Sequence, residues 1–381
     1  MSLIAFRTAW LAVLWLAFGA PVLANGCPAP GQWQQPGGER IAPTALFDEL
    51  AEQAVVLLGE QHDRADHHRW QLHTLAGLHA RHPDLVIGLE MLPREAQPAL
   101  DAWVAGELDE AGFVAASDWH AAWGYDPALY FPILHFARLN RIPVKALNIT
   151  PALRRRLAEE TWSDIPLAER YGITVPASPS PAYRDSLTEL YAWHSTGDDG
   201  QALERFITAQ LAWDRAMAVA LREARESGAL VVGLIGQGHL RFGHGVPHQL
   251  SDLGIEAQRT LLPWPVGTTG CETPPEGVAR AVFTIAETPS GPKVPPPQLG
   301  VYLTSDEAGV EIRSVIEGSV AEQAGLQAGD VILRAAGEAV LRPADLIQQV
   351  RRQPPGTLLP LAIRRNGAEQ EILARFPPRS P

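Results

Sequence analysis

Two Gly-x-x-His tetrapeptides stand far apart in the chain, and each directly follows a run of apolar residues. The first, Gly-Glu-Gln-His, contains Glu60 and ends at His62, after the apolar run 54–58. The second, Gly-Gln-Gly-His, ends at His239, after the run 230–235. Imidazole and carboxylate groups are common ligands of Zn, Mn, Fe and Co, and they also act as general acids and bases. These side chains are therefore the first candidates for chemistry.

A further candidate is Glu90, which lies in the otherwise apolar run 85–92. A buried carboxylate is costly unless it is paired or bound to a cation. One interpretation is that His62, Glu90 and His239 hold a divalent metal (Fe, Mn, Zn or Co). Glu60 would then act as general base on a metal-bound water. The simpler alternative is that Glu90 is exposed at the end of a strand and has no function.

The apolar runs before the two tetrapeptides predict how these side chains come together. Short runs without polar residues are typical of strands that are buried on both faces of a parallel or mixed sheet. In such sheets, ligands bind outside the carboxyl ends of the strands. We therefore expect His62 and His239 to lie in one site at that edge.

Candidate strands and helices alternate along residues 40–285, which predicts an α/β domain with a mixed or mostly parallel sheet flanked by helices. The segment 150–198 looks helical but is interrupted by prolines, which indicates an insertion at the sheet edge. The strands are predicted at 54–58, 85–91, 143–149, 230–235 and 255–262, and the helices at 66–81, 127–139 and 200–226.

The longest predicted helix contains Gln210 and Asp214, which are four residues apart and share a face. They either orient a ligating histidine from behind or are exposed positions of an amphipathic helix.

The N-terminus has the features of an export signal. Arg7 precedes an apolar run, and residues 22–24 (Val-Leu-Ala) fit a cleavage site. We therefore expect residues 1–24 to be removed and the mature protein to be soluble in the periplasm. The residues before Cys27 fit a lipobox poorly, so the sequence favours a disulfide between Cys27 and Cys271 over an outer-membrane lipid anchor on Cys27.

The net charge of -12 at pH 7 limits the partners. Such a chain has no general attraction for phosphate, so we expect no nucleic-acid partner. Unassisted binding to an anionic membrane surface is disfavoured for the same reason. The sequence leaves open whether the chain is a monomer or a homodimer.

A proline-rich linker at 286–298 separates the first domain from a small second one. The second domain begins Gln-Leu-Gly-Val-Tyr-Leu and continues through Ala-Gly-Leu-Gln-Ala-Gly-Asp. On these motifs, residues 299–377 resemble a PDZ domain of the bacterial protease type. The resemblance implies that Leu299, Gly300 and Val301 bind a peptide C-terminus or a protein partner. The alternative is a PDZ fold that packs on its own partner domain and binds no free peptide.

Further motifs occur in a characteristic order between residues 41 and 264. They are Gly-Glu-Gln-His-Asp, Leu-Glu-Met-Leu, Tyr-Asp-Pro followed by Tyr-Phe-Pro-Ile-Leu, Trp-Asp on the long helix, and Gly-Gln-Gly-His-Leu followed by Gly-His-Gly-Val-Pro. Together they resemble the ChaN-like family of the Tiki superfamily. The resemblance implies haem binding and a role in iron uptake, whereas relatives in the wider superfamily are metal-dependent peptidases.

Two functions are therefore expected, of which we favour the first. In the first, the exported protein binds haem or iron through axial ligands and an apolar pocket. In the second, it is a metal-dependent hydrolase, a peptidase or an esterase, that uses the paired tetrapeptides. Candidate haem-contacting residues, besides the two tetrapeptide histidines, are Tyr125, Tyr130, His67 and His244, with Trp119, Trp123 and Phe131 as pocket walls.

Overall fold

The computed structural model describes residues 28–194, 200–225, 228–267, 271–286, 297–306 and 309–378. These residues form two sheets, one of seven strands and one of six. The predicted signal peptide, Cys27 and most of the predicted linker lie outside the described residues. Cleavage, lipidation and the pairing of Cys27 with Cys271 therefore stay predictions.

The first domain is built on a mixed, mostly parallel sheet. Its spatial order is β1-β7-β6-β2-β5-β3-β4, and every neighbouring pair is parallel except β1 with β7. The strands are β1 (Trp33–Gln34), β2 (Val55–Glu60), β3 (Leu85–Pro93), β4 (Val144–Asn148), β5 (Leu230–Gly236), β6 (Gln258–Val266) and β7 (Ala281–Ala286).

Helices cover both faces of this sheet. The longest, α9, has 26 residues, and the two helices of the predicted insertion, α7 and α8, pack on it. The helices are α1 (Pro43–Ala51), α2 (Ala65–His79), α3 (Gln97–Ala105), α4 (Glu110–Ala116), α5 (Trp119–Ala122), α6 (Phe131–Asn140), α7 (Pro151–Glu159), α8 (Pro181–His194), α9 (Gly200–Arg225) and α10 (Val246–Asp252).

Alternate residues of each central strand point to two separate cores, because successive side chains of a strand face opposite sides of the sheet. In β2, Leu58 belongs to the core that includes Leu75 of α2. Its neighbour Leu57 belongs to the core that includes Leu221 of α9. This burial on both faces explains why the strand reads as a continuous apolar run.

The central strands bring the two tetrapeptides together at one edge of the sheet. β2 and β5 are adjacent, and Glu60 at the end of β2 is in register with Gly236 at the end of β5. β3 lies on the other side of β5 and contains Glu90. Three polar segments therefore meet at the carboxyl ends of three neighbouring strands.

The second domain is an antiparallel sheet with two helices. The sheet order is β13-β12-β10-β9-β8, with β11 paired to β10, so β8 lies at the sheet edge. The elements are β8 (Val301–Asp306), β9 (Gly309–Val315), α11 (Val320–Gln323), β10 (Val331–Ala335), β11 (Glu338–Ala339), α12 (Pro343–Arg351), β12 (Leu358–Arg365) and β13 (Ala368–Arg375).

The predicted fold class is confirmed: a mixed sheet flanked by helices, followed by a small β-rich domain. Two strands were not predicted. β1 is only two residues long and joins the sheet ahead of residue 40, where the domain was expected to begin. β7 falls next to the proline-rich stretch, at the end of the predicted domain range 40–285. Among the described residues, no helix combines the length and the hydropathy that crossing a bilayer would need.

Candidate functional site

The centre of the site is the carboxylate of Glu60, which is almost completely buried at the end of β2. His62 Nδ1 lies 2.7 Å from its Oε1, and the hydroxyl of Tyr130 donates to the same oxygen over 3.0 Å. His68 Nδ1 lies 3.0 Å from Oε2. Three side chains from three different segments therefore contact one buried anion.

These contacts set the ionisation of Glu60. Burial raises the pKa of Glu60, but the hydrogen bonds from His62 and His68 outweigh it and lower this pKa to about 2. An ionised carboxylate with these donors and no exposed surface cannot readily take a proton from water. The predicted role of Glu60 as general base is therefore disfavoured, and its evident role is to position His62.

His62 is the exposed member of this cluster, with 27% of its side chain accessible. Burial lowers the pKa of His62, but the hydrogen bond to Glu60 and the charge of Glu90 raise it more. Its ring packs against Trp123 at 4.6 Å and Tyr125 at 5.3 Å between centroids. Within the described residues, its Nε2 has no hydrogen-bond partner, so this nitrogen is available to a ligand.

His239 has the same arrangement on the neighbouring strand end. Its Nδ1 lies 2.6 Å from Oδ1 of Asp214, a fully buried residue of α9. Tyr183 of α8 donates its hydroxyl to Oδ2 of Asp214 over 2.7 Å. Burial lowers the pKa of His239, but the charge and hydrogen bond of Asp214 raise it to about 9. His239 is therefore mainly protonated at neutral pH.

Glu90 lies between the two histidines and is fully buried. Its Oε2 accepts a hydrogen bond of 2.5 Å from the backbone N–H of Gly236. Its Oε1 is buried without a hydrogen-bond partner among the described residues and lies 3.7 Å from His239 Nε2. The alternative that Glu90 is an exposed strand end is therefore wrong.

Gly236 is the point where these groups converge. A Cβ atom at this position would lie 2.8 Å from Cε1 of His62 and 3.3 Å from Oε2 of Glu90. Such distances are too short for a side chain, so glycine allows the imidazole and the carboxylate to approach the backbone. Gly238, two residues later, has open space at the same position.

Comparison with known proteins identifies the family of the first domain. The family model described as haem-binding uptake, Tiki superfamily, ChaN, matches residues 46–250, more than half of the chain. The chain belongs to this family. The solved structure of cofacial haem binding to ChaN of Campylobacter jejuni is similar at a TM-score of 0.54 and 17% identity. The match covers 66% of this chain and 96% of that one, and at this identity it shows the fold alone.

The second domain matches a PDZ family model over residues 311–365. The HtrA-type protease AlgW with a decapeptide is 26% identical over 22% of this chain and 30% of its own, with a TM-score of 0.21. The serine endoprotease from Yersinia pestis is 25% identical over 21% of this chain and 30% of its own, with a TM-score of 0.18. No curated protein matches the chain.

Two of the predicted haem-contacting residues, Tyr130 and His67, are buried and hydrogen-bonded within the ChaN-like domain. Tyr130 is buried, and burial followed by the charge of Glu60 raises the pKa of its hydroxyl, which disfavours an iron-binding phenolate. His67 is also buried, and its Nδ1 accepts a hydrogen bond from the backbone N–H of Gln61. Its neighbour His68, rather than His67, contacts Glu60.

Other predicted residues lie at or outside the edge of the site. Tyr125 is 38% exposed beside His62. His244 stacks on Tyr183 at 5.3 Å, in a separate small cavity behind Asp214. Gln210 makes no hydrogen bond to a site residue in the described part of the chain. Of the predicted orienting pair, only Asp214 thus reaches a histidine.

The three predicted metal ligands come near one another around Gly236 without forming a metal site. Across the described residues, no group of three His, Cys, Asp or Glu side chains is arranged to hold a metal ion. His62 Nδ1 and His239 Nδ1 both face carboxylates, which leaves Nε2 as the ligating nitrogen of each ring.

The PDZ domain has an open groove of about 250 Å³. Leu299, Gly300 and Val301 line one side of it, where peptide binding was predicted, and α12 lines the other. α12 also contacts the ChaN-like domain through Gln348, whose Nε2 donates to the carbonyl of Gly124 over 3.0 Å. The domain therefore packs on its partner domain, as the alternative expected, while its groove stays open, so the prediction of peptide binding remains a prediction.

Two important residues were not predicted from the sequence. Tyr183 lies in the proline-interrupted insertion, where no pattern indicates that α8 returns to α9. His68 directly follows the predicted His67 in the chain, and the helical position alone does not decide which of two adjacent residues faces the sheet. The sequence contains one signal that favours His68, because Gln71 lies one helical turn later. In the structure, His68 Nδ1 lies 3.1 Å from Gln71 Oε1.

Proposed function

We propose that this protein binds haem at the sheet edge, where Nε2 of His62 would hold the iron, and that it serves iron uptake after export. One observation supports the proposal most strongly. The Nδ1 side of His62 is held by buried Glu60, while Nε2 has no partner in the described structure, and the partly exposed ring packs against Trp123 and Tyr125.

The donor set fits haem. When Nδ1–H of a neutral imidazole donates to a carboxylate, the lone pair stays on Nε2, and the ring becomes a better ligand. Haem iron requires one or two axial donors and an apolar wall, not three side chains. Trp123 and Tyr125 provide flat rings beside His62, and the hydroxyl of the partly exposed Tyr125 is a candidate second donor.

The titration of His62 makes this binding sensitive to pH. Because Glu60 favours the protonated imidazole, protons compete with iron for Nε2 more strongly than at an ordinary histidine. Haem affinity should therefore fall as the pH drops below the raised pKa of His62.

The PDZ domain would dock a peptide C-terminus or a protein partner of the uptake process. Its groove combines an edge strand, β8, with apolar side chains on α12, which is the arrangement used to add a peptide strand to a sheet. The predicted signal peptide would place both domains in the periplasm.

The proposal is tested by titrating the purified mature protein with haemin and recording the Soret band. Saturation at a defined stoichiometry with a shifted Soret maximum is expected, and weaker binding at acidic pH should follow. The controls are haemin in buffer alone and haemin with an equal amount of denatured protein. If the native protein gives no Soret shift relative to these controls, the haem function is overturned.

Hydrolysis is the second candidate, and a specific observation favours it. Two carboxylate-held histidines flank a buried acid, Glu90, which is a set of groups able to accept and donate protons. Peptide and ester hydrolysis would be measured with and without added Mn or Zn. This candidate fails if turnover is absent, or if it survives both His62→Ala and His239→Ala.

A further inference from the structure

Helix α12 of the PDZ domain contacts the segment of the ChaN-like domain that packs over His62. We call residues 118–126 the covering segment. Arg342 pairs with Asp118 at its start. Arg352, just after α12, pairs with Asp126 at its end, with Nη2 and Oδ1 3.2 Å apart.

The same segment forms the aromatic wall of the proposed haem site. Trp123 packs on the ring of His62, and its Nε1 donates to the hydroxyl of Tyr130 over 3.2 Å. Trp119 is buried and donates its Nε1 to the carbonyl of Tyr125 over 2.8 Å. A shift of the covering segment therefore moves the rings beside His62.

Arg351 of α12 contacts both the peptide groove and the covering segment. It lines the peptide groove together with Leu346 and Val350, and its Nη1 lies 3.4 Å from the carbonyl oxygen of Gly124 in the covering segment. Among the described residues that line the groove, Arg351 is the one that carries a charge. A group bound in the groove can thus compete directly with the covering segment for this guanidinium.

We propose that a peptide whose free terminal carboxylate enters the groove draws Arg351 from Gly124, loosens the covering segment and displaces the rings beside His62. Because these rings form the wall of the proposed haem site, peptide binding and haem binding then weaken each other by the same factor, since coupling between two sites is reciprocal. The consequence for haem rests on the haem function proposed above; the movement of the covering segment does not.

The chemistry of the groove selects this occupant. β8 lies at the sheet edge, so its backbone can pair with an added strand. The groove walls contributed by Leu303, Ile316 and Ile347 are apolar, which suits an aliphatic or aromatic last residue. Arg351 is the matching cation for the negative α-carboxylate.

The test uses the full chain and four hexapeptides, Gly-Ser-Gly-Ser-Ala-X with X as Val, Leu, Ile or Phe, each as free acid and as C-terminal amide. Hydrogen–deuterium exchange of residues 118–126 is measured first, because it requires no haem. Free-acid peptides that bind should raise exchange in this segment, and the amides should not. Haemin titration in the presence of the same peptide should then give an affinity at least about fivefold lower.

Two arginine variants make the test specific. Arg351→Gln should abolish the exchange response, whereas Arg313→Gln, an exposed arginine of β9, should respond as the wild type does. The proposal is overturned if no free-acid peptide binds, if exchange in the covering segment is unchanged at saturation, or if Arg351→Gln responds like the wild type. An exchange response without any haem binding would instead contradict the haem function and leave the peptide-driven movement standing.

Discussion

At the scale of single residues, the site consists of two histidines whose Nδ1 atoms are fixed by buried carboxylates, Glu60 for His62 and Asp214 for His239. The two pairs differ in exposure, since 27% of the His62 side chain is accessible and 13% of that of His239. The more exposed ring is suited to a ligand. The more buried ring provides a positive charge beside Glu90.

Because His239 is paired with Asp214, replacing Asp214 should change the pKa of His239. In Asp214→Asn the carboxylate charge that raises the pKa of His239 to about 9 is gone, so this pKa should fall, because burial is then opposed only by the charge of Glu90. An NMR titration of the imidazole protons measures it. Asp185→Asn, an exposed position of α8, is the matched control. A His239 that still titrates near 9 would show that Asp214 is not the cause.

Tyr130 is predicted to stabilise the fold rather than to bind iron. Tyr130→Phe removes a buried donor to the charged Glu60, which should lower the free energy of unfolding by about 2 kcal/mol and leave haem stoichiometry unchanged. Urea unfolding and a haemin titration measure the two effects. Tyr125→Phe is the comparison, because the exposed Tyr125 should change stability by less than about 0.5 kcal/mol. Loss of haem in Tyr130→Phe at full stability would reverse the assignment.

At the scale of elements, the site depends on the parallel register of β2, β5 and β3. Because Glu60 is in register with Gly236, the two Gly-x-x-His turns leave the sheet side by side. The turn after β5 begins at a glycine that both His62 and Glu90 approach closely. This turn is therefore sensitive to a single added methyl group.

The second tetrapeptide provides a matched pair of substitutions. In Gly236→Ala the new methyl would overlap His62 Cε1, so the imidazole must move and haem affinity should fall at least about tenfold. Gly238→Ala meets no atom within 4 Å and should bind haem like the wild type. Haemin titrations of both variants, with circular dichroism to check folding, provide the measurement. Equal affinities would mean that the approach of His62 to Gly236 has no role in binding.

Much of this arrangement could be predicted from the sequence, for physical reasons that also explain the gaps. Continuous apolar runs reveal strands buried on both faces, so the meeting of His62, Glu90 and His239 at one edge was predictable. Side-chain direction within a helix and long-range helix packing leave no such pattern, so the contacts of His68 and Tyr183 were not. His62 Nε2 is available because Glu60 contacts the other ring nitrogen, Nδ1. Only the folded geometry determines which of the two nitrogens Glu60 contacts.

At the scale of the whole molecule, the two carboxylate–histidine pairs make stability depend on pH in opposite directions. The pKa of Glu60 is lowered from 4.5 to about 2, so its contribution is present above pH 4.5 and lost as the pH falls towards 2. The pKa of His239 is raised from 6.5 to about 9, so its contribution is present below pH 6.5 and lost as the pH rises through 9.

The resulting prediction is a stability maximum between about pH 4.5 and 6.5, with a decline on the alkaline side of up to roughly 3 kcal/mol from His239. Urea unfolding of the full chain between about pH 3 and 10 measures the profile. In Asp214→Asn the alkaline decline should flatten while the acid decline stays, because the Glu60 cluster is untouched. The same alkaline decline in wild type and variant would contradict the prediction.

The central claim is that haem iron binds Nε2 of His62 at the edge formed by β2 and β5. The most direct measurement is a haemin titration at neutral pH of His62→Ala beside His73→Ala, an exposed histidine of α2. The account predicts that His62→Ala loses the shifted Soret band and at least about tenfold in affinity, as expected when a metal-binding site loses a ligand or its support, whereas His73→Ala keeps both. An unchanged Soret spectrum and affinity in His62→Ala would contradict it.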